Sequence, residues 1–275
     1  MQVSELAQYT VNFINQTNRN VFLTGKAGTG KTSLLKEIIE TTHKNTVVVA
    51  PTGIAALNAG GVTIHSLFQL PFARFLPTHS QPPQIGENIR FENRNTLRRH
   101  FKMNKVKQDV IRNVELLIID EVSMLRADLL DAIDFMLQSV RRNDEAFGGV
   151  QILFIGDLLQ LPPVVRQEDW GVLKNYYSGM FFFHSHVIQK NPLLYIELDK
   201  IYRQTEQSFI NVLNNLRNNR ISKEDIQLLN KYVKPDFDIK NNQGYITVTT
   251  HNAKADSINS QALRDLKGKS YKYYP

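Results

Sequence analysis

Four runs of apolar, largely β-branched residues mark the first part of the chain: Val21-Phe22-Leu23-Thr24, Thr46-Val47-Val48-Val49-Ala50, Leu116-Leu117-Ile118-Ile119 and Ile152-Leu153-Phe154-Ile155. A strand with one face in water alternates apolar and polar residues. Runs this continuous belong to parallel strands covered on both faces. Between them the spacing becomes helical. Ser33 to Ile39 reads as a helix, and Leu125, Leu129, Ile133, Met136 and Val140 fall on one face of another. Alternating strands and helices predict an α/β fold with right-handed crossovers.

Two stretches break the rhythm. Residues 71–112 hold Pro71, Pro77, Pro82 and Pro83 and then a basic run, which reads as an insertion between core strands. Val165 to Pro192 is aromatic-rich, carries the only tryptophan, Trp170, and suggests a lobe boundary near Asn191-Pro192. The pattern therefore divides into a first lobe over residues 1–190 and an incomplete second lobe over residues 191–275. In the second, Leu194 to Leu198 and Tyr245 to Thr249 read as strands. Thr205, Ser222 and Asn252 stand where helix caps belong. Too few strands remain there to close a second sheet.

Composition narrows the class. The chain has 275 residues, 42% hydrophobic and 21% charged, as in a soluble globular protein. No apolar run approaches the roughly 20 residues needed to cross a bilayer, and the N-terminus lacks signal-peptide features. No membrane partner is expected. There are no cysteines, which excludes disulfides and thiolate metal sites and favours a cytoplasmic or nuclear setting. The net charge of +7 suits a polyanionic partner. It concentrates between Arg90 and Arg112, where eight Lys and Arg residues face only Glu92 and Asp109. That run reads either as a solvated face or as a nucleic-acid surface.

The chemistry starts at Gly25-Lys26-Ala27-Gly28-Thr29-Gly30-Lys31-Thr32, which fits the phosphate-binding pattern G-x-x-x-x-G-K-[ST] between a strand and a helix. Glycines let successive N–H groups of Gly28, Thr29 and Gly30 turn inward, and the helix opening through Ser33 adds its positive end. Lys31 then reaches the β and γ phosphates of a nucleoside triphosphate, and the Thr32 hydroxyl binds Mg²⁺. The alternative is a plain glycine turn. Asp120-Glu121 ends a buried strand, where an aspartate holds Mg²⁺ and a glutamate takes the proton of an attacking water. Gln160, in Gly156-Asp157-Leu158-Leu159-Gln160-Leu161-Pro162-Pro163, follows the next strand, at the sheet edge where ligands bind. Its amide suits a γ-phosphate and a water together. Thr52 and Gly53 offer a hydroxyl and N–H groups to a phosphate, and His65 and Phe68 offer faces to sugar or base. No H-x-x-x-H spacing exists, so His65 is not expected to bind a metal.

Together these segments, with Ile118 to Met124 and Tyr202-Arg203-Gln204, resemble the petite-integration-frequency (Pif) DNA helicases of superfamily 1, relatives of the RecD type. The resemblance runs from the start to about residue 267. It implies a P-loop fold of two RecA-like lobes, ATP and Mg²⁺ between them, and single-stranded DNA across both. It also implies 5′ to 3′ translocation coupled to unwinding at duplex junctions, by a monomer on DNA. By position, Gln8 matches an adenine-reading glutamine, and Arg203 an arginine that reaches the γ-phosphate. Thr52, Gly53, His65, Phe68 and Pro162 match DNA-contacting segments of the first lobe, Thr250 and Asn252 a phosphate-contacting segment of the second. The family's second lobe continues past this chain, so the 275 residues are expected to bind ATP and DNA but to unwind poorly alone. Two other readings remain: a nucleotide-dependent nucleic-acid-binding module without helicase activity, and a P-loop ATPase acting on RNA.

Overall fold

The computed structural model describes residues 5–26, 28–81, 90–200, 206–238, 242, 244–266, 268–269 and 271. The chain divides into two compact units, Met1–Leu213 and Asn214–Pro275. In chain order the first unit contains α1 (Glu5–Gln16), β1 (Val21–Gly25), α2 (Lys31–Thr41), β2 (Thr46–Ala50), α3 (Gly53–Asn58), β3 (Val62–Thr63) and α4 (Ile64–Phe68). Next come β4 (Arg74–Leu76), β5 (Phe91–Asn93), α5 (Arg94–Leu97), α6 (Lys105–Asn113), β6 (Leu116–Ile119), α7 (Ala127–Arg141), β7 (Gln151–Ile155), α8 (Gln167–Leu173), α9 (His186–Lys190) and β8 (Leu194–Leu198). Short 3-10 turns cover Val122–Met124 and Phe182–His184. Helix α10 (Gln207–Arg217) spans the junction, and the second unit holds α11 (Lys223–Asn230) and α12 (Asn252–Asp265).

Six strands form one parallel sheet in the order β3-β2-β6-β7-β1-β8. Because side chains alternate between faces, each central strand divides its residues between two cores. Phe22, Val49, Leu117, Ile119, Ile152 and Phe154 pack with Ile64, Phe68, Ile111, Leu130, Ile133 and Met136 from α4, α6 and α7. Val21, Leu23, Val48, Leu116, Ile118, Leu153 and Ile155 pack on the opposite side with Val11, Ile14, Leu34, Leu35 and Ile38 from α1 and α2. That two-sided cover is what the continuous apolar runs predict. Each fully buried aliphatic side chain contributes about 1.5–3 kcal/mol.

The stretch at 71–112 is built into this lobe. Strands β4 and β5 pair in parallel, and Phe75, Leu97 and Met103 join the core under α7. An ionic cluster fastens the start of the stretch. Arg126 grips Asp128 with two hydrogen bonds, of 2.8 and 2.7 Å, and donates to the Ala73 carbonyl at 3.2 Å. Asp128 accepts the Phe75 amide at 3.0 Å, and Arg74 pairs with buried Asp169 at 2.6 Å. The basic run is partly committed as well. The guanidinium groups of Arg94 and Arg98 both lie over the Phe135 ring, and Lys107 donates to the Ser66 carbonyl.

Several expectations need correction. Leu194–Leu198 does not open a second sheet: it pairs with β1 along its whole length, so the boundary expected at 190/191 falls inside the first unit, which runs to Leu213. Tyr245 to Thr249 pairs with no strand among the described residues and leaves Ile246 and Val248 exposed. Ser222 caps α11 as expected, in a reciprocal arrangement with Asp225, whereas Asn252 is the first residue of α12 rather than its cap. Thr205 lies outside the described residues.

One buried carboxylate gives the lobe a pH dependence. Asp134 on α7 accepts the Phe147 amide at 2.6 Å and the Gln138 side chain. Burial raises its carboxyl from the ordinary value to about 6, against the pull of that amide. The folded protein therefore holds this proton longer than the unfolded chain does. Stability from this group falls as pH rises from about 4 to 6. Asp134→Asn is expected to raise the melting temperature relative to the parent at pH 7.5, through a stabilisation of about 3 kcal/mol at most. At pH 4.5 that gain should shrink. Equal effects at both pH values would contradict the assignment.

Candidate nucleotide and nucleic-acid site

A parallel sheet sends the C-terminal ends of all its strands to one edge, and the sequence loads that edge. The phosphate-binding loop leaves β1, Thr52 follows β2, α4 follows β3, Asp120-Glu121 follows β6, and Gly156-Asp157 follows β7.

The loop after β1 is held by its own side chains. Lys31, the first residue of α2, donates its Nζ to the Gly25 carbonyl at 2.6 Å and to the Lys26 carbonyl at 3.1 Å. The buried Thr29 hydroxyl braces Lys26 from the other side, at 2.9 Å. Gly25 and Gly30 take positive φ, +154° and +88°. At Gly25 the need is steric too, because a Cβ would lie 2.7 Å from both the Leu198 carbonyl oxygen and Thr29 Oγ1. Thr32 and Ser33 are exposed on the first turn of α2.

Opposite stand the acids. Asp120 Oδ1 accepts the Glu121 amide at 2.9 Å, and Glu121 takes a left-handed backbone with φ +51°. Burial raises both carboxyls above their ordinary values. Lys31 pulls both back down, while Asp120 and Asp157 push Glu121 further up. The lysine charge is thus felt at the acidic pair, and the surroundings of Glu121 favour its protonated form more than water does. Asp157 is almost fully buried and accepts the Leu159 amide at 3.1 Å and the Gln160 side chain at 3.4 Å.

Mg²⁺ fits this set in a limited way. The open Thr32 hydroxyl and Asp120, one of whose oxygens is already committed, would supply two oxygen ligands. Among the described residues no group of three His, Cys, Asp or Glu side chains could hold a metal unaided. That is the donor set of a cation that keeps several waters and is shared with phosphate oxygens.

A groove of about 240 Å³ connects the two halves of the edge. It is lined by Thr52, Ile54 and Ala55 on one side and by Glu121, Ser123 and Gln160 on the other. Thr52 caps α3 by accepting the Ala55 amide at 3.3 Å, which leaves its hydroxyl proton to donate. Gly53 beside it has an open face. Ser123 is buried, and its Oγ has no hydrogen-bond partner among the described residues. Pro162 is exposed just beyond the groove, whereas Pro163 is buried.

Not every expected residue joins the edge. Gln8 lies on the exposed face of α1 and donates to Asn12 at 3.4 Å. Phe68 is a correction: it is 1% exposed, packed under the sheet, and its ring meets no solvent. His65 is half-buried, its imidazole pKa lowered by burial and by the Arg126 charge. Thr250, hydrogen-bonded to His251, and Asn252 belong to the second unit and are exposed there. Arg203 lies outside the described residues. Sequence reasoning passed over Asp157, although its place at the end of a strand beside β6 repeats that of Asp120. It also passed over Arg126 and Ser123, whose roles come from long-range packing.

The sequence profile of PIF1-like helicases matches residues 2–227. The chain is 32% identical over 262 residues to the ATP-dependent DNA helicase PIF1 of Xenopus laevis, covering 94% of this chain and 36% of that protein. It is similar to the Pif1 helicase from Bacteroides solved with ADP-AlF3 and single-stranded DNA, with 41% identity and a TM-score of 0.83. That match covers 98% of this chain and 58% of the other. A structure of two coordinating Pif1 helicases at forked duplex DNA is similar too, with 43% identity, a TM-score of 0.81, and coverage of 96% and 58%. The chain therefore spans about a third of the Xenopus protein and under three fifths of the solved helicases.

The geometry at Gly25 is open to direct test. Gly25→Ala forces a Cβ against backbone and is expected to destabilise the protein by roughly 1–3 kcal/mol and to weaken ATP binding by displacing the carbonyl that holds Lys31. Gly53→Ala meets nothing within 4 Å and should melt within about 0.5 kcal/mol of the parent. Thermal melts of both variants, with ATP titrations, check this. Equal effects of the two changes would contradict it.

Proposed function

The chain belongs to the PIF1-like helicase family, and from that premise we propose that it is the nucleotide-binding part of an ATP-dependent DNA helicase. ATP with Mg²⁺ occupies the loop after β1, and single-stranded DNA crosses the same sheet edge past Thr52. The observation that carries this reading is the shared groove, in which Thr52 on one wall faces Glu121 and Gln160 on the other. Phosphate loss on one side can thereby be felt on the other.

In this reading Lys31 leaves the Gly25 and Lys26 carbonyls for the β and γ phosphates, and Thr32 and Asp120 hold the cation. When bound, Mg²⁺ neutralises charge on the transferring phosphoryl group. Glu121, with its raised pKa, takes the proton of the attacking water. Gln160 is freed from its long bond to Asp157 to meet the γ-phosphate. By family position alone, Gln8 is assigned the adenine, for which its amide must leave Asn12, and Arg203 is assigned to the spread negative charge of the transition state. Thr52, Gly53, His65 and Pro162 meet the DNA backbone, and in the second unit Thr250 and Asn252 are assigned a phosphate contact of their own. Movement 5′ to 3′ and duplex separation belong to the same proposal. They are ascribed to a polypeptide as long as the relatives rather than to these 275 residues.

Two variants separate the roles at the nucleotide. Lys31→Ala is expected to abolish detectable ATP binding. Glu121→Gln should keep ATP affinity within a few-fold and lower turnover by about 10²–10⁴. Normal turnover in Glu121→Gln would contradict the assignment of the base. The reading of the basic run is checked with Arg99, Lys102 and Lys105, which are exposed; Arg98 is exposed too, but its guanidinium lies over the Phe135 ring, so it is left unchanged. Changing all three to Gln should flatten the slope of log affinity for single-stranded DNA against log salt by roughly 0.7 for each phosphate no longer neutralised. An unchanged slope returns those residues to a solvated face.

A further inference from the structure

We propose that Phe72, backed by His65, is a stacking site for one base of a single-stranded nucleic acid. The inference rests on the nucleic-acid reading above and deepens it, because it names a contact to a base where the other candidates meet phosphate.

Phe72 is 83% exposed, although its neighbours Leu70 and Phe75 are buried in the core. A phenyl ring left in water forgoes most of the roughly 1.5–3 kcal/mol that burial would contribute. One of its faces is nonetheless organised. It lies on the His65 imidazole with ring centroids 4.5 Å apart and planes 19° apart, so the other face presents a flat apolar surface to solvent. Burial and the Arg126 charge both disfavour the protonated form of the supporting imidazole.

The ring sits on a short, well-held connection. Gln69 ends α4 with a left-handed backbone, and the Ala73 amide turns back to the Pro71 carbonyl at 2.8 Å. The Ala73 carbonyl accepts from Arg126, and the Phe75 amide is bound by Asp128. The loop loses little freedom when something docks on it, so stacking is not offset by ordering. Helix α4 starts at the C-terminal end of β3, and β3 adjoins β2, from which Thr52 emerges. Phe72 therefore belongs to the nucleotide-bearing edge, and a base fits better than an apolar protein side chain. Lys107 donates to the Ser66 carbonyl, next along α4 from His65, so the helix that backs the ring also holds a positive charge. A planar face on an element that carries a cation matches a stacked base with its phosphate.

The test uses the whole chain, a fluorescent oligo-dT, and the same oligonucleotide with abasic sites. Phe72→Ala should weaken binding of the oligo-dT about 10-fold, leave the salt slope unchanged, and keep the melting temperature, because so little of the ring is buried. On the abasic strand, parent and variant should bind alike. Phe72→Trp should restore affinity, and its added fluorescence should be quenched by oligo-dT. The proposal is overturned if Phe72→Ala binds oligo-dT as tightly as the parent. It is equally overturned if the variant loses as much affinity for the abasic strand, which would make the ring a structural prop or a site for another partner. If the parent chain itself binds no single strand, the nucleic-acid reading fails first, and that result is distinguishable from the other two.

Discussion

All the chemistry of this protein depends on the parallel direction of its central strands. All six strands of the sheet end at one edge, and five of them lead there into a candidate functional segment. The constraint is mechanical as well as topological. Hydrogen bonds from β1 to β7 and β8 fix the exit of the phosphate-binding loop, and those from β6 to β2 and β7 fix the exit of the acids. Because both faces of the sheet are buried, a strand that shifted in register would move side chains between two packed cores. The edge is thus placed by the interior of the lobe.

Charge at that edge is balanced across the gap between two loops. Lys31 is held by carbonyl dipoles and its charge reaches Asp120 and Glu121, while burial and mutual repulsion raise the two acids. In the proposed reading a phosphate with its cation would satisfy both sides, since the lysine would gain an anion and the acids a metal. A second ionic centre serves placement. The Arg126–Asp128 and Arg74–Asp169 pairs tie β4, α7 and α8 together and hold the connection that carries Phe72. Breaking one partner of such a buried pair leaves an uncompensated charge, so the cluster keeps this part of the lobe in one arrangement.

Much of this was legible in the residues. Local spacing beside continuous apolar runs marks the glycine-rich loop, the Asp-Glu pair and Gln160 for strand ends, which is where they stand, and the same runs imply a sheet covered on both faces. What escaped depends on long-range pairing. Leu194–Leu198 is recognisable as a strand, but nothing in its five residues says that its partner is β1 rather than a strand of a second sheet. Tyr245 to Thr249 has a strand's composition without a pairing partner among the described residues. Helix α4 is too short for its periodicity to fix a phase, so the spacing marks Phe68 for a ligand although it is core, and gives no sign that Phe72 is at the surface. Ser123 and Asp157 become visible only when β6 and β7 stand side by side.

The central claim is that nucleotide and single-stranded nucleic acid occupy one edge and are linked through the groove between Thr52 and Gln160. The most direct measurement is the affinity of this chain for a fluorescent oligo-dT, titrated with and without saturating ADP–aluminium fluoride and Mg²⁺. Coupled sites must influence each other by the same factor in both directions. The account predicts a several-fold change in oligo-dT affinity on adding nucleotide, matched by an equal change in nucleotide affinity on adding oligo-dT. Two affinities that are each measurable and wholly independent of the other ligand would contradict it.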